Sequence, residues 1–339
     1  MINCSVSIII PAYNSAMSLP RCLNSVFSQT VLPEEIITVD DGSTDNTQQV
    51  LRSFSDERIK IIMQENQGPA AARNRGLEIA TGKYVAFLDA DDYWEPQFIE
   101  TTVNFLEEHP EAIAVNTAYC KEDWNGHTYY RPELIEQDKI YYGCNGNVCE
   151  NFYEFWLRYR SVLTGTVMMR TEIAKKTGGQ RKDLRLTEDL EFWGYLATFG
   201  KWGFIPKHLF VTDERILRPK ERIRKLSRRV NFSKDISVES WISRIYPNLQ
   251  NERSIQSFNK FIGYIATNIT LANAYAFNFS RSYMLSLRWK DVLDEGLGHV
   301  LKYGLWGGRI LWPFVCLLLK AREIVKAYIR PLLIKLRQR

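Results

Sequence analysis

Over the first hundred residues, hydrophobic and polar positions fall into two alternating patterns. Residues 6–10 form a β-branched run closed by Pro11, as expected of a strand buried on both faces. Residues 18–29 then set Leu19, Cys22, Leu23, Val26 and Phe27 at helical spacing. The alternation repeats, with strands expected at 36–39, 59–63 and 84–88. The intervening helices are expected at 45–54, where Thr44 or Asp45 is a capping residue, and at 69–80, with Pro69 in the first turn. Strands alternating with helices in this way predict right-handed crossovers and a mostly parallel sheet flanked by helices.

The pattern loosens further on. A helix is expected at 96–108, a strand at 113–119, a long loop at 121–150, a strand at 166–169, a helix at 186–198 and a closing strand at 204–211. Beyond this the composition changes. Residues 219–229 are dense in Lys and Arg, and 238–292 read as helical and aromatic. An apolar run at 310–319, interrupted by Pro313, leads into basic amphipathic sequence. This predicts an α/β domain at 1–215, a helical extension at 216–298 and a basic tail at 299–339.

Composition narrows the class. The chain has 339 residues, 45% hydrophobic and 24% charged, which is ordinary for a folded protein and excludes disorder or a disulfide scaffold. The net charge of +5 is uneven. Residues 300–339 carry nine Lys or Arg against the single acid Glu323, a net +8, leaving −3 for the rest. Such asymmetry points to an anionic surface. The apolar run favours a membrane surface, with a packed helix or oligomer contact as the alternative, and no nucleic-acid partner is expected. No stretch reaches the roughly 18 apolar residues of a membrane span. The first ten residues read as a strand, not a signal peptide. The six cysteines form no CxxC pair, so reduced thiols in the cytoplasm are expected.

The candidate chemistry sits where the expected strands end. The first ends in Pro11-Ala12-Tyr13-Asn14, the second in Asp40-Asp41-Gly42-Ser43-Thr44-Asp45, and the fourth in Asp89-Ala90-Asp91-Asp92. In an open parallel sheet that edge binds ligands. Turn formation explains one such loop, but three carboxylates within four residues repel one another unless a cation neutralises them. Hard divalent ions take oxygen ligands together with phosphate oxygens, so the Asp-x-Asp spacing points to Mn2+ or Mg2+ on a diphosphate. Arg73, near the start of a helix of small residues, has two readings: a phosphate partner, or a partner of the acidic loops. The second is preferred.

The string at 6–14 (Val-Ser-Ile-Ile-Ile-Pro-Ala-Tyr-Asn) opens a set of five ordered motifs. Leu23-x-Ser25-Val26-x-Ser28-Gln29-Thr30 and Val39 to Asp45 follow it. Asn66-x-Gly68-x3-Ala72-Arg73-Asn74-x-Gly76 and Phe87 to Asp92 complete the set. Together they resemble glycosyltransferase family 2, closely over 5–120 and loosely to about 210. The resemblance implies a GT-A catalytic domain at 1–215, with a nucleotide-sugar half at 1–110 and an acceptor half at 111–215, and a nucleotide-sugar donor, most often a UDP-sugar. It places Pro11, Ala12, Tyr13 and Asn14 in the nucleoside pocket and Asp41 on the uracil ring, with Asp40 beside it. Asp89 is placed near the ribose and metal, and Asp91 on the metal. Asp189, next to Glu188 and after Gly178-Gly179, matches the family's base; helix capping by Thr187, Glu188 and Asp189 is a compatible reading.

The implied reaction is an inverting, single-displacement transfer of one sugar. Leu285 stands where processive synthases carry the Gln of Gln-x-x-Arg-Trp, so polymerisation is not expected. The basic tail adds a peripheral position on the cytoplasmic face of the membrane and a lipid-linked glycan acceptor in surface-polysaccharide synthesis. Transfer onto a polyprenyl phosphate and a non-catalytic membrane-associated role are the alternatives. A sugar-1-phosphate nucleotidylyltransferase would need an N-terminal Gly-rich loop with a catalytic Lys or Arg, and Pro11 to Asn14 stand in that place.

Overall fold

The computed structural model describes residues 5–123, 126–184, 187–213, 238–275 and 277–324. The basic stretch at 219–229, the expected junction at 215–216 and the tail from 325 onward lie outside the described residues. Contacts divide the chain into two compact units. One runs through residue 222 with 247–249, and the other holds the helices that follow.

The first unit is built on one sheet. Its strands are β1 (Val6–Ala12), β2 (Glu35–Asp41), β3 (Ile59–Gln64), β4 (Tyr84–Phe87), β5 (Tyr93–Trp94), β6 (Ala112–Glu122), β7 (Thr128–Arg131), β8 (Asn147–Cys149), β9 (Val167–Arg170) and β10 (Lys201–Asp213). The order is β3-β2-β1-β4-β9-β6-β10-β5, with β7 on β6 and β8 on β10. Strands β3, β2, β1 and β4 are parallel, as are β6 and β10, while β9 runs antiparallel between the two groups. This is the expected α/β architecture of the GT-A type. The strand order reverses between β1 and β4, so a crevice opens outside their C-terminal ends.

Helices cover the sheet because their apolar stripes match it. Helix α1 (Leu19–Phe27) buries Leu19, Cys22, Leu23 and Val26. Helices α2 (Thr47–Ser53), α3 (Pro69–Ile79) and α4 (Phe98–Glu108) follow. Helix α3 packs through small residues. Ala70, Ala71, Ala72 and Gly76 are buried, and a Cβ on Gly76 would lie 2.4 Å from Ile9 Cγ2. Gly76 thus sets how near α3 comes to β1, and that distance positions Arg73.

The segment expected as a loop at 121–150 is partly ordered. It contains β7, helix α5 (Glu136–Tyr142) and β8. Its local pattern is weak because its order comes from tertiary partners. The side chains of β7 are all exposed, β8 is three residues long on β10, and Tyr142 is buried against Phe155, Tyr159 and Phe204. Helices α6 (Phe152–Tyr159) and α7 (Thr171–Lys176) extend the fold beyond the expected elements. Asn151 caps α6 through Tyr153 N–H at 2.9 Å and Glu154 N–H at 3.2 Å. Helix α8 (Glu188–Leu196) precedes β10.

The second unit contains α9 (Val238–Ile245), α10 (Glu252–Tyr275), α11 (Phe279–Arg288), α12 (Leu297–Gly304) and α13 (Gly308–Ile324). Trp241, Phe258, Phe261, Leu285, Trp289, Leu301 and Trp312 are buried in it. The expected tail therefore begins inside this unit. Helix α13 continues through Pro313, because burial of Trp312, Cys316 and Leu319 outweighs the one backbone bond that proline removes. Among the described residues, no helix is long and apolar enough to cross a membrane.

Ile9 is fully buried mid-strand and cannot yield to a new methyl group. Gly76→Ala should cost about 1–3 kcal/mol, read as a lower urea midpoint. Combined with Ile9→Ala, the two should cost less than the sum of the single changes.

Candidate active site

The loops leaving β1, β2 and β4 are fastened to one another. Pro11 is half-buried, Ala12 is buried and Tyr13 is exposed. Asn14 has a φ of 51°, a conformation Asn tolerates better than most residues. From there it grips the β2 loop. Its backbone N–H donates to Ser43 Oγ at 2.9 Å, and its Oδ1 accepts from Thr44 N–H at 2.8 Å. Asp40 is fully buried and closes its own turn, accepting from Ser43 N–H at 3.1 Å and Gln48 Nε2 at 2.8 Å.

Asp41, also buried, accepts from Gln64 Nε2 at 2.7 Å, Gln67 N–H at 2.9 Å and Gly68 N–H at 2.8 Å. Gly68 is the N-cap of α3, so this carboxylate faces the positive end of that helix. A carboxylate offers about four acceptor positions. Three are used, which holds Asp41 in place.

Beyond β4 stand the three acids. Asp89 is half-buried, Asp91 exposed and Asp92 half-buried. Arg73 Nη2 donates to Asp89 Oδ1 at 2.7 Å. The backbone carbonyl of Asp91 accepts from Arg21 Nη2 at 2.8 Å. Arg21 also pairs with the buried Asp213 at the end of β10 and lies 4.7 Å over the Tyr93 ring. Burial, then the charges of Asp91 and Asp89, push the Asp92 carboxyl well above its usual range. Burial and the same three acids push up the Cys22 thiol, which donates to the Asp89 carbonyl at 3.7 Å. Cys22 therefore remains a protonated thiol.

This crowding of negative charge suits a divalent cation. Among the described residues, no group of three His, Cys, Asp or Glu side chains is placed to hold a metal alone. That donor set matches an ion bound by one or two carboxylates together with substrate phosphates. Asp91 and Asp89 are the residues that would hold it.

The second acidic centre is joined to the first through α3. Arg73 is buried, and besides Asp89 it reaches Gln180 Oε1 at 3.1 Å and Glu188 Oε1 at 3.6 Å. Burial works against its charge, but Asp89 and Glu188 more than compensate. Its neighbour Asn74 grips the backbone of the facing turn. Asn74 Oδ1 accepts from Gln180 N–H, and Asn74 Nδ2 donates to the Gln180 carbonyl, both at 2.7 Å. Gly179, at a φ of +81°, makes that approach possible, since a Cβ there would lie 2.3 Å from Asn74 Oδ1.

The turn leads to α8, whose first residues are Glu188 and Asp189. Thr187, with a φ of 66°, makes no side-chain capping bond. Asp189 Oδ1 accepts from Leu190 N–H at 2.8 Å. Burial raises its pKa, against the pull of Arg73. Glu188 is raised to about 7, by burial first and then by the charge of Asp189, again against Arg73. The structure thus gathers Arg73, Asp89, Glu188 and Asp189 into one charged group. Pro11, Ala12, Asn14, Asp40 and Asp41 form the adjoining strand ends.

Sequence reasoning missed Arg21, Gln180 and Asp213. Nothing local marks them, because their partners lie far away in sequence. Asn74 stood within a quoted motif, yet its role depends on the facing turn. The turn Thr164–Thr166 is buried, and its Gly165 carbonyl accepts from Trp94 Nε1 at 2.6 Å.

The model of the family "Glycosyl transferase family 2" matches residues 7–165. Glycosyltransferase GlyA of Streptococcus pneumoniae serotype 4 is 32% identical over 221 residues, 64% of this chain and 30% of GlyA. The uncharacterized glycosyltransferase YibD of Escherichia coli is 40% identical over 121 residues, 35% of this chain and 34% of YibD. The chain thus spans about a third of the length of these two relatives. The putative teichuronic acid biosynthesis glycosyltransferase TuaG of Bacillus subtilis is 33% identical over 192 residues, 56% of this chain and 70% of TuaG. The crystal structure of Staphylococcus aureus TarS 1–349 with UDP has a similar fold, with a TM-score of 0.55 at 18% identity, over 92% of this chain and 90% of that one. With most of TuaG covered at this identity, the chain belongs to glycosyltransferase family 2.

Proposed function

We propose that this chain transfers one sugar from a UDP-sugar to a hydroxyl of a glycan acceptor, with inversion and with Mn2+ or Mg2+, in surface-polysaccharide synthesis. The observation that carries the reading is the Arg73 cluster, in which one buried guanidinium pairs with Asp89 after β4 and with Glu188, next to Asp189, at the start of α8. The TarS structures bound to UDP and to UDP-GlcNAc support the donor class. The teichuronic acid biosynthesis for which TuaG is named supports the acceptor class. The tail at 299–339, net +8 from residue 300 onward, supports peripheral attachment to an anionic membrane and a lipid-linked acceptor.

In this reading the strand ends bind and the α8 acid acts. Asn14, Asp40 and Asp41 hold the nucleoside loops in shape, and Asp41 accepts from the base. Asp189 takes the proton of the acceptor hydroxyl as that oxygen attacks the anomeric carbon, and the bond to the donor diphosphate breaks. Its raised pKa makes it a stronger base, and proton removal by such a group is typically worth about 10²–10⁴ in rate. Arg73 keeps Asp189 ionised and keeps the Asp89 loop beside it. When bound, the divalent ion stabilises the charge gathering on the leaving diphosphate.

Calorimetric titration of the protein with UDP, with and without Mn2+, tests the donor site. Metal-dependent binding that Asp91→Ala abolishes is the expected result, and no binding of UDP or GDP by the folded protein would overturn the proposal. Asp189→Asn should leave UDP binding within about threefold of the parent while lowering kcat by about 10²–10⁴. Equal loss of both would place Asp189 in the donor site instead.

The Glu188 shift gives a pH signature. The folded chain keeps a proton on Glu188 up to about pH 7, while the unfolded chain releases it near the ordinary 4.5. The contribution to stability is therefore complete below about 4.5, shrinks as pH rises, and is gone above about 7. Relative to the parent, Glu188→Gln should gain about 1–3 kcal/mol more at pH 8 than at pH 5. Urea midpoints at the two pH values check this, and an equal effect at both would contradict it.

A further inference from the structure

Helix α13 has two apolar sides. Trp312, Cys316 and Leu319 are buried in the helical unit, and Trp312 packs edge-on against Tyr283. On the other side Ile310 is 87% exposed, Phe314 64% and Leu318 72%, with Leu311 and Leu317 about half exposed. These five residues recur at i, i+1, i+4, i+7 and i+8, which makes one continuous stripe. Trp306, 89% exposed, and Tyr303 stand just before it on the approach to the helix. No charged residue occurs between Ile310 and Leu319. The buried side holds the helix in place, so folding of the unit does not require the exposed stripe.

The surroundings identify what covers it. Residues 300–339 carry nine basic residues and one acid. A second copy of the chain would bring a second net +8 against the first, a repulsion that a self-complementary contact would have to overcome. An anionic bilayer supplies the opposite charge and an apolar layer in one partner. Exposed Trp and Tyr beside an apolar stripe also suit the level of the lipid headgroups.

We propose that Trp306, Ile310, Phe314, Leu317 and Leu318 form a preformed insertion face that seats α13 in the headgroup region of an anionic membrane. This rests on the peripheral attachment proposed above and assigns its apolar part to a folded helix, leaving the basic residues as the long-range attraction. Two components with different salt responses follow. Attraction by Lys and Arg weakens as salt rises, whereas burial of the stripe does not.

The test is sedimentation of the full chain with vesicles of phosphatidylglycerol and phosphatidylcholine, at low and high salt. Bromine-labelled acyl chains report insertion as quenching of Trp306, taken as the difference from Trp306→Phe. The parent should bind anionic vesicles, keep part of that binding at high salt, and show Trp306 quenching. Phe314→Glu with Leu318→Glu should bind at least tenfold more weakly at high salt, with an unchanged melting temperature. Replacing Lys326, Arg330, Lys335, Arg337 and Arg339 by Gln should instead lower binding mainly at low salt. If the glutamate variant binds as the parent does, or Trp306 is not quenched while binding persists, the insertion face is wrong and attachment by the basic tail stands. If the parent binds no anionic vesicle, both fail. If the parent self-associates in solution and the glutamate variant does not, the face is a contact between copies and the proposal is overturned.

Discussion

A guanidinium cannot be buried without acids around it, and Arg73 meets that demand with acids from separate parts of the chain. Asp89 comes from the loop after β4, and Glu188 and Asp189 come from the start of α8. Removing water from the cation would be costly alone, and the partners return that cost only if they are held in place. The helix bearing Arg73 must therefore sit at one depth on the sheet. Gly76 against Ile9 fixes that depth, and Asp41 fixes the start of the same helix through Gly68 N–H. The loop after β4 and the start of α8 are coupled through one helix because one buried charge needs both.

The balance of charge at this centre has a chemical consequence. Three acids share one cation, so the group is short of positive charge, and the protonation levels adjust. Glu188 rises to about 7 and Asp189 rises as well. A carboxylate raised in this way binds a proton more strongly than one in water, which is what abstraction from a weakly acidic hydroxyl requires. Without Arg73, burial would favour the protonated acids still more.

The parallel half of the sheet was legible because buried parallel strands announce themselves: β1, β2 and β4 are apolar runs ended by Pro or Asp. The loops carrying Asp40, Asp41, Asp89 and Asp91 were legible for the same reason, since their residue types have few other uses at strand ends. Helix α5 and strands β7 and β8 were not. Tyr142 is ordered by Phe155 and Phe204, and no window of sequence contains that contact. Arg21 shows the same limit at the site, because its meaning lies in Asp213 and the Asp91 carbonyl, 192 and 70 residues away.

The run at 310–319 shows where pattern and structure part. In sequence it is uniformly apolar, and Pro313 reads as an interruption. Folded, it is one helix divided along its length, with Trp312, Cys316 and Leu319 inside and Ile310, Phe314 and Leu318 outside. Only the buried set contributes to the stability of the unit, so the exposed set is free to be selected for something else. An exposed stripe of this size would promote self-association unless charge opposed it. The excess of Lys and Arg in the sequence at 300–339 supplies that opposition between copies, and the same excess becomes attraction when the partner is anionic.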